Sequence, residues 1–301
     1  MIEILKKTNI DFMGKRKYTF ILSGILLTLG IIALFQIFTG RANLGVDFAG
    51  GTSIQVKFQK LIPLQEIRKV LDEGGVKDFD LQDLPAENKI LIRVKKEEEK
   101  LGEISERIVQ ILSQKFADAT PVIDSVTEIG PKIGAKLRDD ALKAIIMATA
   151  GLLIYVAWRF QFKFGIGAVI ATLHDVLAVL GIFYLLNKEI NLIFLSALLA
   201  IAGYSLTDTV VIFDRIRENI KFLVKDPIET IINKSLNEVL SRTIITSLTT
   251  LFAALALFLF GGEVIHDFAL AMLIGISIGT YSSIFVASPV ILLLGKGFKK
   301  G

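Results

Sequence analysis

The chain is 301 residues long, 52% hydrophobic and 21% charged, with no cysteine and a formal net charge of +4. Its mean hydropathy of +0.61 excludes an ordinary soluble domain and points to a polytopic membrane protein. Without cysteine there is no disulfide framework and no thiolate chemistry, so an oxidising compartment on one side has nothing to act on.

A basic segment, 1–17, precedes the first apolar run at 18–38. That run is longer than the roughly 7–15-residue apolar core of a cleaved leader, and no small-x-small site follows it, so it is expected to stay as a transmembrane anchor. Residues 39–139 are too polar for a bilayer. Within them "TSIQVKF" alternates as a half-buried strand, and "PLQEIRKVLDEGG" has helical spacing at Leu64, Ile67, Val70 and Leu71. Pro63 suits the start of that helix and Gly74 its end. "FDLQDL" and "KILIRVK" predict two strands joined by the turn "PAEN". "EEEKLGEISERIVQILSQKF" predicts a helix with acids in its first turn, where the dipole favours them. "PVIDSVTEIG" closes as a strand. The order β-α-β-β-α-β predicts a small ferredoxin-like α+β domain.

Further apolar segments follow at 140–158, 164–186, 192–213, 242–260 and 268–294, each near the roughly 20 residues a bilayer span needs. With 18–38 they predict six transmembrane helices. A cytoplasmic loop at 214–241 and a tail at 295–301 complete the chain. Lys and Arg set the orientation. They cluster in the N-terminal segment, between the second and third spans at Arg159 and Lys163, across 214–241, and in the tail. The opposite loops hold Lys188 beside Glu189, and no Lys or Arg lies between Gly261 and Asp267. Both termini are therefore expected in the cytoplasm, with 39–139 outside it. The net positive charge records this bias, so no nucleic-acid partner is implied.

"GVDFAGGTS" contains Asp47, Gly50 and Gly51. It lacks the Lys-Ser/Thr of a phosphate loop and precedes a strand instead of opening a helix, so a tight turn into the outer domain is expected. His174 and Asp175 lie side by side in the third span, near mid-membrane at 1.5 Å per residue. A metal site wants more ligands and a hydrolase wants a placed nucleophile. Neighbouring helical positions point in different directions, so the two need not act as a pair. A polar contact between helices, a helix lock and a proton relay all remain open for them.

Asp208 interrupts the fourth span, at a cost of about 2.5–3.5 kcal/mol on insertion scales. Arg242 opens the fifth span at similar depth. Dry surroundings favour the neutral acid and a nearby guanidinium favours the carboxylate, so movement of Arg242 would load or unload a proton on Asp208. The competing expectation is a static salt bridge. Gly203, Ser205, Thr207 and Thr209 are small enough to allow close helix approach in either case. The loop 214–241 predicts an amphipathic helix pair on the cytoplasmic surface, its second helix opened by "DPIE", with Arg215 and Arg217 as lipid anchors.

Four segments in order, "GVDFAGGT", "TLHDV", "GYSLTDTVVIFDRIREN" and "SRTIITSLTTL", make the chain resemble the SecF family over nearly its full length. These are membrane subunits of the bacterial Sec export machinery. The resemblance implies one six-span half of an RND-type transporter in the cytoplasmic (inner) membrane, paired with SecD. It implies work beside the SecYEG translocon on SecA-dependent preproteins, with YajC- or YidC-like neighbours, powered by the proton gradient. It places Asp208 and Arg242 on positions linked to proton movement, and Asp175 in a family motif. It implies no enzyme activity, cofactor or metal. Half of an RND-type small-molecule exporter and a passive translocon scaffold are the alternatives.

Overall fold

The computed structural model describes residues 8–77, 79–84, 88–95, 103–159, 162–223 and 225–294. In chain order they form α1 (Arg16–Phe38), α2 (Val46–Ala49), β1 (Gly51–Lys57), α3 (Leu64–Glu73), β2 (Phe79–Leu84), β3 (Lys89–Lys95), α4 (Glu103–Lys115) and β4 (Val122–Ile129). The long helices α5 (Pro131–Arg159), α6 (Phe162–Leu185), α7 (Leu192–Phe222), α8 (Ile228–Phe260) and α9 (Glu263–Ser282) follow. A π turn, Ser283–Ala287, then leads into α10 (Ser288–Leu294). Two compact units result: Leu44–Lys143, and Met1–Asn43 together with Ala144–Gly301.

The smaller unit is an antiparallel sheet in the order β2-β3-β1-β4, the arrangement of a ferredoxin-like split fold. Period-two alternation turns Thr52, Ile54 and Val56 of β1 inward. Ile54 sits opposite Ile92 and Val56 opposite Ile90. Ile67 and Leu71 from α3, with Ile104, Ile108 and Leu112 from α4, close over that face. The helix expected from "PLQEIRKVLDEGG" starts after Pro63 and is capped by Gly74. Residues 85–87 of the "PAEN" turn, and the acids at 97–99, lie outside the described residues.

Among the described residues, five helices are long and apolar enough to cross a bilayer: Met13–Phe38, Phe162–Leu185, Leu192–Phe222, Ile228–Phe260 and Ile265–Leu294. The sixth expected stretch, 140–158, lies within α5. The outward faces are oily, with Ile21 and Phe35 of α1 and Phe252 and Leu259 of α8 exposed. The inward faces combine large apolar side chains such as Phe164, Phe183 and Phe213 with small and hydroxyl ones. The small and hydroxyl side chains suit an apolar solvent, where helix contact comes from close packing and hydrogen bonds. At the α1–α6 crossing a Cβ on Gly181 would lie 2.6 Å from the Gly30 nitrogen, and one on Gly30 would strike the Leu177 carbonyl. Where α9 meets α7, a Cβ on Gly279 would stand 3.2 Å from the Ser205 Cβ.

Two expectations need correction. The segment 214–241 is not a separate surface pair: α7 runs unbroken to Phe222, and α8 starts at Ile228 and continues to Phe260. Its single proline, Pro227, and its lack of glycine leave nothing else to break a helix. The two extensions are tied together by Arg215 to Glu238 at 2.7 Å and by Asn219 to Ser235 at 2.9 Å. Arg215 also pairs with Glu218, and Arg217 with Asp214, so both arginines are engaged within the protein where lipid anchors were expected.

Candidate functional site

Three membrane helices meet along a polar seam. On α7, Ser205, Asp208 and Thr209 fall at spacings of three and four, so they share one face. All three are buried, whereas Gly203 and Thr207 point outward, and a Cβ on Gly203 would meet nothing within 4 Å. Of the four small residues expected to permit close approach, Ser205 and Thr209 therefore face the seam. From α9 come Gly279, Thr280 and Ser282, followed by Ser283 of the π turn. From α6 come His174 and Asp175.

The π turn has a local cause. Pro289 has no N–H and its ring crowds the carbonyl of residue 285, four positions back, so the helix widens just before it. The Ser288 hydroxyl donates to the Ser283 carbonyl at 3.0 Å. Ser282, Ser283 and Ser288 are all fully buried.

Asp175 is fully buried and saturated. Its Oδ2 accepts from the Ser282 hydroxyl at 2.7 Å and from the Ser205 hydroxyl, and its Oδ1 lies 3.0 Å from Nδ1 of His174. The expectation that His174 and Asp175 need not pair is thus corrected. Their ring and carboxylate rotamers converge although their Cβ atoms diverge. Nε2 of His174 is buried without a partner.

Asp208, also buried, is held loosely. Its Oδ2 is 3.4 Å from the Ser247 hydroxyl of α8, and that hydroxyl shares a 2.7 Å hydrogen bond with Thr280 of α9. Arg242 lies within Coulombic range of Asp208. Among the described residues no ion pair joins them, and the Arg242 side chain is exposed on this chain. The static salt bridge is therefore not formed in this conformation. Thr209 meets Ser283 at 3.0 Å across the same seam. Among the described residues no group of three or more His, Asp or Glu side chains is placed to hold a metal.

Asp47, Gly50 and Gly51 lie in the smaller unit, away from these carboxylates in sequence. Asp47 sits in the first turn of α2, and Gly50 and Gly51 follow with φ of 74° and 129°. Those angles favour glycine. A Cβ on Gly134, at the start of α5, would come within 3.0 Å of the Gly50 nitrogen. The pair thus turns the chain from α2 into β1 beneath a close helix, with no feature of a phosphate cradle. Ser205 and Ser282 as partners of Asp175 were not read from the sequence. The serine pair Ser282 and Ser283, one helical stretch ahead of Pro289, was the available signal.

Residues 109–297 match the family described as protein export membrane protein SecD/SecF, C-terminal, and residues 37–60 match the SecD/SecF GG motif. The protein translocase subunit SecF of Thermodesulfovibrio yellowstonii is 63% identical over 298 residues, 98% of each chain. That of Calditerrivibrio nitroreducens is 46% identical over 297 residues, 97% of each. The crystal structure of SecDF from Thermus thermophilus, titled a translocon-associated membrane protein, superposes with a TM-score of 0.84 at 34% identity. That match covers 96% of this chain, which spans 39% of the length of the SecDF chain. The glycine turn, the helical bundle and the full-length similarity lead to one conclusion: the chain belongs to the SecF family of protein translocase subunits.

Proposed function

We propose that this protein is the SecF half of a SecD–SecF unit that draws preproteins outward using the proton gradient, with Asp208 as the proton carrier and Arg242 as its electrostatic gate. The observation that carries the reading is a buried carboxylate held by a single long hydrogen bond, with a guanidinium in range but unpaired. A carrier must be free to change charge, and a saturated ion pair would oppose that. Two unit charges about 4 Å apart interact by about 4 kcal/mol at an effective dielectric of about 20. Approach of Arg242 to that distance favours the carboxylate, and its withdrawal favours the protonated acid.

The SecDF relative supports the partnership, since this chain corresponds to only part of its length. The basic loops favour an orientation with both termini in the cytoplasm and Leu44–Lys143 outside it. The outer unit then serves as a binding or relay module, and SecYEG with its SecA-delivered preproteins lies within reach as a partner. YajC- or YidC-like proteins are further neighbours. Proton flux measured in vesicles carrying this chain with its SecD-like partner tests the reading. Preprotein-dependent flux that disappears in Asp208→Asn is the expected result, and unchanged flux overturns it.

A further inference from the structure

The His174–Asp175 pair has chemistry that the Asp208 reading does not use. The two side chains are 1% and 0% exposed. Both oxygens of Asp175 are engaged: Oδ2 by the hydroxyls of Ser205 and Ser282, Oδ1 by Nδ1 of His174. With Asp175 ionised its oxygens can only accept, and Nδ1 then carries the ring hydrogen. Nε2 is then a bare lone pair, buried and, among the described residues, unpartnered. It is the open acceptor of the cluster.

The charge count points the same way. With His174 neutral the cluster holds one buried negative charge, and no Lys or Arg pairs with Asp175 among the described residues. The groups facing the pair are Ser205 from α7 and Ser282 and Tyr281 from α9. The Tyr281 hydroxyl is already engaged by Ser23 and by the Thr19 carbonyl of α1. Asp208, three residues along α7 from Ser205, is the other carboxylate of the seam. Nothing nearby supplies a compensating cation, and a buried charge without one is costly.

We propose that His174 and Asp175 form a second proton-binding site, separate from Asp208, in which one proton is taken at Nε2 of His174. Neutral imidazole plus a proton gives imidazolium, and beside the Asp175 carboxylate the pair becomes net neutral. The Tyr281 ring, with centroids 6.2 Å apart, lies alongside the resulting cation. The same Asp175 oxygen holds α7 through Ser205 and α9 through Ser282, one residue before the π turn. Proton binding therefore acts directly on the contact of three helices. The site stands whether or not Asp208 is the carrier.

The chain has two histidines, His174 and His266, which makes the test direct. Full-length His266→Gln protein, labelled with nitrogen-15 histidine and placed in lipid nanodiscs, carries one imidazole. Its nitrogen spectrum is followed from about pH 8 to about pH 5. The expected result is an Nδ1–H tautomer at the upper end that gains a proton on Nε2 within the range. Adding Asp175→Asn should lower the imidazolium-to-neutral ratio about tenfold or more at a given pH, because the adjacent opposite charge is gone. Ser282→Ala keeps the carboxylate but removes a donor to it, and should raise that ratio. An Nε2 that stays bare throughout overturns the proposal. So does a ratio unmoved by both substitutions. Since the spectrum does not depend on export, a failure here is distinct from a failure of the Asp208 reading.

Discussion

The Ser282 hydroxyl donates to Oδ2 of Asp175 at 2.7 Å, bridging α9 and α6 where both are fully buried. The bond joins a carboxylate to the last residue before the π turn, so the charged group and the irregular helix turn belong to one structure. A π turn satisfies its backbone less regularly than an α-helix. Side-chain hydroxyls compensate here, Ser283 donating to the Gly279 carbonyl at 2.8 Å and Ser288 to the Ser283 carbonyl at 3.0 Å.

Ser282→Ala removes a hydrogen bond to a charged group, which is worth about 1.5–3 kcal/mol in water-soluble proteins. In bilayers the interhelical average is about 0.6 kcal/mol, because the unfolded state also finds partners. The charge on Asp175 puts this bond above that average, so a loss of about 1–2 kcal/mol is expected. Thermal denaturation in detergent checks it. Ser205→Val should cost more, because the Gly279 contact leaves no room for added methyl groups.

Asp208→Asn should accumulate normally and lose proton-coupled export. Among the described residues the one hydrogen bond at stake is the 3.4 Å contact with Ser247, so stability is expected to stay within about 1 kcal/mol of the parent. Arg242→Gln, having no ion pair to lose, should behave alike, and the double substitution should not restore export. Full export by the double mutant would rule out the carrier role.

Gly181→Ala should loosen the α1–α6 crossing, since its Cβ meets the Gly30 nitrogen at 2.6 Å. Overpacking of this kind costs about 1–3 kcal/mol. Gly24→Ala on α1 has nothing within 4 Å of the new Cβ and serves as the neutral control. Crosslinking between α1 and α6 should fall in the first variant and not in the second.

The segment just before α1 is strapped to α8. Asn233 accepts from Phe12 N and Met13 N at 3.0 Å each and donates to Asp11 at 2.8 Å, while Asn237 holds both the nitrogen and the carbonyl of Ile10. The Gly14 N–H, and then the Asn233 amide, hold the Asp11 carboxyl below its ordinary range. A depressed carboxyl contributes its stability above the ordinary range and loses it as pH falls through the lowered value. Protection of the amides at residues 10–14, taken relative to the intrinsic exchange rate at each pH, should therefore fall on acidification. Asp11→Asn should flatten that dependence, and an unchanged acid response in the variant would show that another group governs the strap.

The membrane class, the apolar spans and the small ferredoxin-like unit were determined by the sequence itself. Each rests on periodicity or length, which local physics translates directly: alternation in β1, helical spacing in α3, and about 20 apolar residues per span. The oddness of Asp208 and of His174 with Asp175 was equally legible, because an acid in an apolar run is costly wherever the helix goes. Only the tertiary structure decided their partners. Ser205 and Ser282 are 30 and 107 residues from Asp175, and nothing local specifies such a meeting. It follows from Gly279 and Ser205 letting α7 and α9 approach closely, and from Pro289 widening the turn after Ser282. The same holds for Arg242, whose place in the sequence left a mobile gate and a static salt bridge to Asp208 both open. Its reach and rotamer in the folded bundle leave the pair open.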